Sequence, residues 1–193
     1  MSADPHYWMH LAGAAWLVFL AYWLYSARQL KTVKRREPHA ERVVYLALMV
    51  TAYALVFDHW LSVGWLGRRF VPDSASIGAV GVAITFAGVA LAIWARRHLG
   101  QNWSATVTLK EGHELIRSGP YGRIRHPIYT GMLVAFAGTA LALGEYRGLL
   151  GFAIATSSFF FKARKEERYL TQEFGAQFQE HLRHTGMFFP KLS

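Results

Sequence analysis

The chain has 193 residues, 53% of them hydrophobic and 15% aromatic, and its 17% of charged residues falls short of the roughly 25% usual in a soluble domain. Its formal charge of +9 comes from 21 Lys and Arg set between long apolar stretches rather than along one basic face, a pattern that points to a lipid bilayer and away from nucleic acid as partner. The absence of cysteine excludes disulfide frameworks, thiolate nucleophiles and Cys-based zinc sites.

In chain order, the first apolar run covers residues 8–26, nineteen residues without an Asp, Glu, Lys or Arg. It matches the roughly 20 residues that cross a bilayer. The sequence ahead of it carries no basic n-region, so the run is expected to be retained as a span. Residues 43–65 form a second predicted span, with Asp58 and His59 in its last third at headgroup level. Residues 77–95 are a third charge-free run. Two shorter runs, 128–143 and 149–162, are joined by Gly144-Glu145-Tyr146-Arg147-Gly148 and read as a helical hairpin. The predicted fold is therefore all-α: a single polytopic membrane domain over 1–193 with about five transmembrane helices. Six basic residues lie in each of 28–42, 96–125 and 162–193, against Arg68, Arg69 and Arg147 elsewhere. The positive-inside rule then puts those three segments in the cytosol and the N-terminus outside, with the cell membrane as expected location.

Between the third and fourth spans, residues 96–127 form a polar, glycine-punctuated loop that runs into a membrane helix. Pro127 suits the first turn of that helix, whose free amides and positive dipole end can hold a carboxylate or phosphate. Taken alone, these residues also suit a plainer role, with Arg125 snorkelling, His126 at the headgroups and Tyr129 in an aromatic belt. After the fifth span, Leu170, Phe174, Phe178 and Leu182 recur every four residues on a charged background, which predicts an amphipathic surface helix within the C-terminal segment 163–193. Glu166 and Glu167 either belong to its solvated face or carry chemistry. At helical spacing Lys162 lies one turn before Glu166 on the same face, whereas Arg164 points about 160° away at ~100° per residue. No dinucleotide fingerprint, P-loop or zincin motif occurs. The nine histidines show no ligand spacing, so no metal is expected.

Together, Leu99-Gly-x-x-Trp-Ser, Gly112-His-x-Leu-Ile-x-x-Gly-x-Tyr, Arg125-His-Pro-x-Tyr-x-Gly131, the Glu166-Glu167 pair and Phe174-Gly175 resemble the isoprenylcysteine carboxyl methyltransferase family over about residues 96–190. The resemblance implies an integral membrane enzyme with S-adenosyl-L-methionine as methyl donor. It implies donor contacts from His113, Glu114, Leu115, Ile116, Tyr121, Arg125, His126, Pro127, Ile128 and Tyr129. Glu166, with Glu167 beside it, is implied to work on the acceptor together with a basic partner. The family's arginine four residues before the first Glu is Lys162 here, with Arg164 nearby, and Lys lacks the planar fork that grips a carboxylate.

The expected activity is methyl transfer at the membrane–cytosol interface to a lipophilic small molecule, a carboxylate as in isoprenylcysteine being one such acceptor. Alternative acceptors are a phospholipid amine, a phenol or a thiol. A sterol-type NADPH reductase of similar fold is a rival enzyme, and a membrane scaffold or transporter subunit a non-enzymatic one. The sequence leaves the oligomeric state open.

Overall fold

The structure is a computed structural model that describes residues 5–27, 33–35, 39–100, 109–110 and 115–191. Six helices dominate it: α1 (Pro5–Ser26), α2 (His39–Phe57), α3 (Ala75–Leu99), α4 (Pro127–Leu143), α5 (Tyr146–Phe174) and α6 (Ala176–His184). A short antiparallel pairing of β1 (Val33–Arg35) with β2 (Leu109–Lys110) links the segments that follow α1 and α3. The protein is an all-α polytopic membrane protein. Helices α1, α2 and α3 are long and apolar enough to cross a bilayer. Helix α4 has only 17 residues, about 26 Å at 1.5 Å per residue, and lies against α3.

Small residues set the closest packing. Gly81 and Gly88 of α3 face Gly138 and Gly131 of the antiparallel α4, each pair seven residues apart. A Cβ on Gly88 would stand 2.3 Å from the Ala135 amide nitrogen, and one on Gly131 would stand 2.5 Å from that of Ala92. The two backbones therefore touch, the arrangement that apolar surroundings favour because lipid offers no hydrophobic drive to pull larger side chains together. Between the glycines, Thr85 and Thr139 each donate to the carbonyl four residues earlier, at 2.9 and 2.7 Å. Trp16 Nε1 donates to Thr139 Oγ1 at 3.0 Å and ties α1 to this pair. The Trp16, Tyr53 and Phe136 rings meet beside it with centroids 4.9 to 5.1 Å apart.

Two expected boundaries change. The second predicted span, 43–65, ends at Phe57 because Asp58 turns the chain, accepting from Trp60 N at 3.0 Å to cap a 3-10 turn over His59–Leu61. The predicted fifth span and the first half of the amphipathic segment are one helix, α5, of 29 residues. It stops at Gly175, whose φ of 48° breaks the helix before α6. Leu170 and Phe174 thus lie on α5, and Phe178 on α6 is buried against protein rather than laid on a membrane surface. The hairpin turn at 144–148 forms as expected, with Gly144 in the left-handed region at φ 73°.

Arg69 and Arg147, two of the three basic residues outside the main basic segments, serve helix ends. Arg147 Nη1 donates to Leu55 O at 2.9 Å and Asp58 O at 3.0 Å, closing the end of α2, while its Nε pairs with Glu145 at 2.6 Å. Arg69 Nη1 reaches Leu143 O at the end of α4 at 3.4 Å. Carbonyls at helix C-termini have no intrahelical partner and carry the negative dipole end, so a guanidinium satisfies both.

Candidate active site

The site lies at the opposite end of the bundle, where α3 ends, α4 starts and α5 leaves the apolar layer. Gly119, with φ 56°, turns the chain into a 3-10 turn over Gly119–Gly122, and a Cβ there would strike the His98 ring at 2.3 Å. That turn buries Tyr121 against Ala95 and Ile128, with Trp23, Leu99 and Ile116 around them. Burial pushes the Tyr121 hydroxyl pKa up, so the group stays protonated.

His126 caps the start of α4 from an extended segment that pairs with the chain's C-terminal strap. Arg125 N donates to Gly186 O at 2.9 Å, His126 N to Met187 O at 3.1 Å, and Gly186 N to Arg123 O at 3.2 Å. Thr130 Oγ1 donates to Phe188 O at 2.8 Å, and Arg125 Nη1 to Thr185 O. The apolar tail therefore pairs with residues 123–126 and with the first turn of α4.

Against this start α5 lays its glutamates. Glu167 Oε1 accepts from Arg125 Nε at 2.7 Å and lies 3.2 Å from His126 Nε2. Glu166 Oε1 accepts from the Tyr129 hydroxyl at 2.5 Å, and its Oε2 lies 3.4 Å from His126 Nδ1. The Tyr129 ring is stacked between His126, at 5.5 Å, and Phe159, at 4.9 Å, and the Lys162 ammonium sits 5.8 Å from its centroid. Burial works against charge on all three titrating groups, yet the mutual hydrogen bonds and opposite charges win. The His126 pKa is raised, and those of Glu166 and Glu167 are lowered. Lys162 adds to the lowering at Glu166.

Of the residues singled out from sequence, Arg125, His126, Tyr129, Lys162, Glu166 and Glu167 come together in one network. Ile116, Tyr121 and Ile128 form an apolar wall beside it, with Pro127 buried at the helix start and Leu115 half-buried ahead of the turn. His113 and Glu114 lie outside the described residues. Arg164 does not join: it is exposed, with its guanidinium 6.0 Å from the Phe160 ring centroid, as its position half a turn away on α5 requires. Glu167 is no solvated neighbour, because its side chain is only 14% exposed and holds Arg125. Sequence reasoning missed Thr130 and which groups the Thr185–Phe188 strap would touch. Thr130 is an unspecified position within the Arg-His-Pro motif, and the strap's contacts are mostly backbone carbonyls, which leave no residue-type signal.

The family model described as the isoprenylcysteine carboxyl methyltransferase (ICMT) family matches residues 80–172. Over that segment, just under half of its length, the chain is ICMT-like. Protein-S-isoprenylcysteine O-methyltransferase B of Arabidopsis thaliana is 37% identical to it over 73 residues, 37% of each chain. The Schizosaccharomyces pombe protein-S-isoprenylcysteine O-methyltransferase is 33% identical over 85 residues, 42% of this chain and 36% of that one. Cobalt-zinc-cadmium resistance protein CzcN of Cupriavidus metallidurans is 28% identical over 143 residues, 72% of this chain and 58% of that one. The chain thus spans less than two thirds of the length of each of these relatives. The matched segment holds α4 and the Glu166-Glu167 pair but stops before α6 and the strap.

Proposed function

We propose that the protein is an S-adenosylmethionine-dependent methyltransferase that acts on a lipophilic acceptor at the cytosolic face of the cell membrane. One observation carries the proposal: the ICMT-like segment brings the Arg125-His126-Pro127 helix start onto the Glu166-Glu167 pair at one end of an apolar bundle. The basic residues gathered in 28–42, 96–125 and 162–193 support a cytosolic site with five spans and an external N-terminus.

The residues present suit such a donor. Ile116, Tyr121 and Ile128 offer an apolar wall, and Glu166 a half-buried negative charge. Bound there, S-adenosylmethionine would supply an electrophilic methyl group on a cationic sulfur. The protein's own contribution is placement and exclusion of water: Tyr129 and His126 fix Glu166, Arg125 fixes Glu167, and the strap pairs with residues 123–126 and the first turn of α4. Methyl displacement is in-line, so holding the reacting atoms at roughly 3 to 3.5 Å removes most of the entropic barrier. Lys162, with its ammonium 5.8 Å from the Tyr129 ring centroid, is the cation placed to receive an anionic acceptor. A carboxylate acceptor needs no base.

Binding of labelled S-adenosylmethionine against labelled NADPH to the purified protein tests the donor, followed by transfer of labelled methyl groups to lipid extracts and prenylated cysteine compounds. NADPH binding without S-adenosylmethionine binding would overturn the proposal.

A further inference from the structure

Both ring nitrogens of His126 meet carboxylate oxygens, Nδ1 with Glu166 at 3.4 Å and Nε2 with Glu167 at 3.2 Å. A neutral imidazole has one N–H and one lone pair, so in that state one of the two contacts sets a lone pair against a carboxylate. The imidazolium ion donates to both. The ring is also buried, with 5% of its side chain exposed, so no water layer intervenes to relieve the mismatch.

We propose that His126 is a doubly donating imidazolium that clamps Glu166 and Glu167 of α5 to the start of α4, and that it thereby acts as a positioning residue for Glu166. The groups around it agree. Glu166 and Glu167 face it from α5, with Lys162 one turn earlier on that helix. Arg125 precedes it in the chain and takes the other side of Glu167, and Tyr129 stacks on it from α4. Tyr121 lies within electrostatic reach of Glu166 from the 3-10 turn, and the strap adds the Phe188 ring at 6.2 Å. His181 of α6 is the control inside the same structure. Burial, and the positive charges of Arg117, Arg125, His126 and His184, press its pKa down. Two buried histidines in one neighbourhood are thus pushed in opposite directions, and it is the one facing two carboxylates whose protonated form is favoured.

The pH window follows from the direction of each shift. Folding raises the His126 pKa above its ordinary 6.5, so the clamp's contribution is complete below that value and is lost as pH rises through the higher folded one. Folding lowers the Glu166 and Glu167 values, so on the acid side their contribution is present above about 4.5 and is lost as pH falls through the lower folded ones.

The test is nitrogen NMR of full-length protein labelled with [15N]histidine in detergent micelles. At pH 8 an unperturbed histidine is roughly 97% neutral. One ring should nevertheless keep both nitrogens protonated at that pH. Its signals should vanish in His126→Asn, and its titration midpoint should fall by about one pH unit or more in Glu167→Gln. Should His126→Asn fail to fold, the Glu167→Gln shift makes the assignment. A spectrum in which every ring is neutral at pH 8 overturns the proposal, as does an imidazolium that persists in His126→Asn or ignores Glu167→Gln. The positioning role rests on the methyltransferase reading. It requires that turnover at saturating donor fall as pH rises through the NMR midpoint, and turnover indifferent to that titration overturns it. The NMR arm needs no methyl acceptor, so failure of the clamp and failure of the proposed activity are told apart.

Discussion

Replacing Gly131 by alanine should separate α3 from α4 next to the site. A Cβ at Gly131 would stand 2.5 Å from Ala92 N, 2.6 Å from Gly88 O and 2.9 Å from Ala92 Cα. All three are backbone atoms, so no rotamer change relieves them. Reaching ordinary contact at 3.4 Å requires the helices to open by about 0.9 Å at this level. Overpacking costs about 1–3 kcal/mol, and a main-chain obstacle puts this case at the upper end. Alanine returns about 1 kcal/mol of helix propensity, which leaves a net loss of about 2 kcal/mol. For a chain of this size each kcal/mol moves the Tm by about 2–4 °C, so thermal unfolding in detergent followed by tryptophan fluorescence should show a fall of about 4–8 °C. Gly13→Ala is the matched control, because its Cβ would meet only Phe57 Cε1 at 4.0 Å. That variant should unfold at the wild-type temperature or slightly above it. If the two variants behave alike, close backbone contact does not hold α3 to α4 and the packing argument fails. Gly131 also sits little more than one turn past His126, so its variant should weaken donor binding while Gly13→Ala should not.

Glu166→Gln and Glu167→Gln should each lower turnover at least tenfold, about 1.4 kcal/mol of transition-state stabilisation, because each carboxylate holds two partners of the network. Full activity in either, measured by labelled methyl transfer, would return that residue to a solvated helix face. Lys162→Ala should raise the acceptor KM and Lys162→Arg should be tolerated, while Arg164→Ala should change neither KM nor kcat by more than about twofold, as expected of an exposed side chain. A kinetic loss in Arg164→Ala comparable to that in Lys162→Ala would reverse the assignment. Reporter fusions should place Ser2 outside and Ser193 in the cytosol, and both on one side would refute the five-span topology.

Much of the architecture was legible without coordinates. Charge-free runs of bilayer length fixed α1 and α3, because a helix in lipid must be apolar on every side and composition alone reveals it. The Arg125-His126-Pro127 start and the Glu pair were visible as chemistry out of place beside apolar runs. Periodicity misjudged the C-terminal segment, because the same apolar spacing serves a membrane surface and a protein one, and only packing buries Phe178. Gly81, Gly88, Gly131 and Gly138 stood in plain view, but their seven-residue spacing acquires meaning only when two antiparallel helices bring the pairs opposite each other. What tertiary structure alone decided is the pairing across about forty residues of chain: Tyr129 with Glu166, Arg125 with Glu167, and His126 between both. Residue types announce which groups are able to pair. Which of them do depends on how α5 is set against α4, and that is fixed by the packing of apolar and small residues elsewhere in the bundle, which a local motif does not contain.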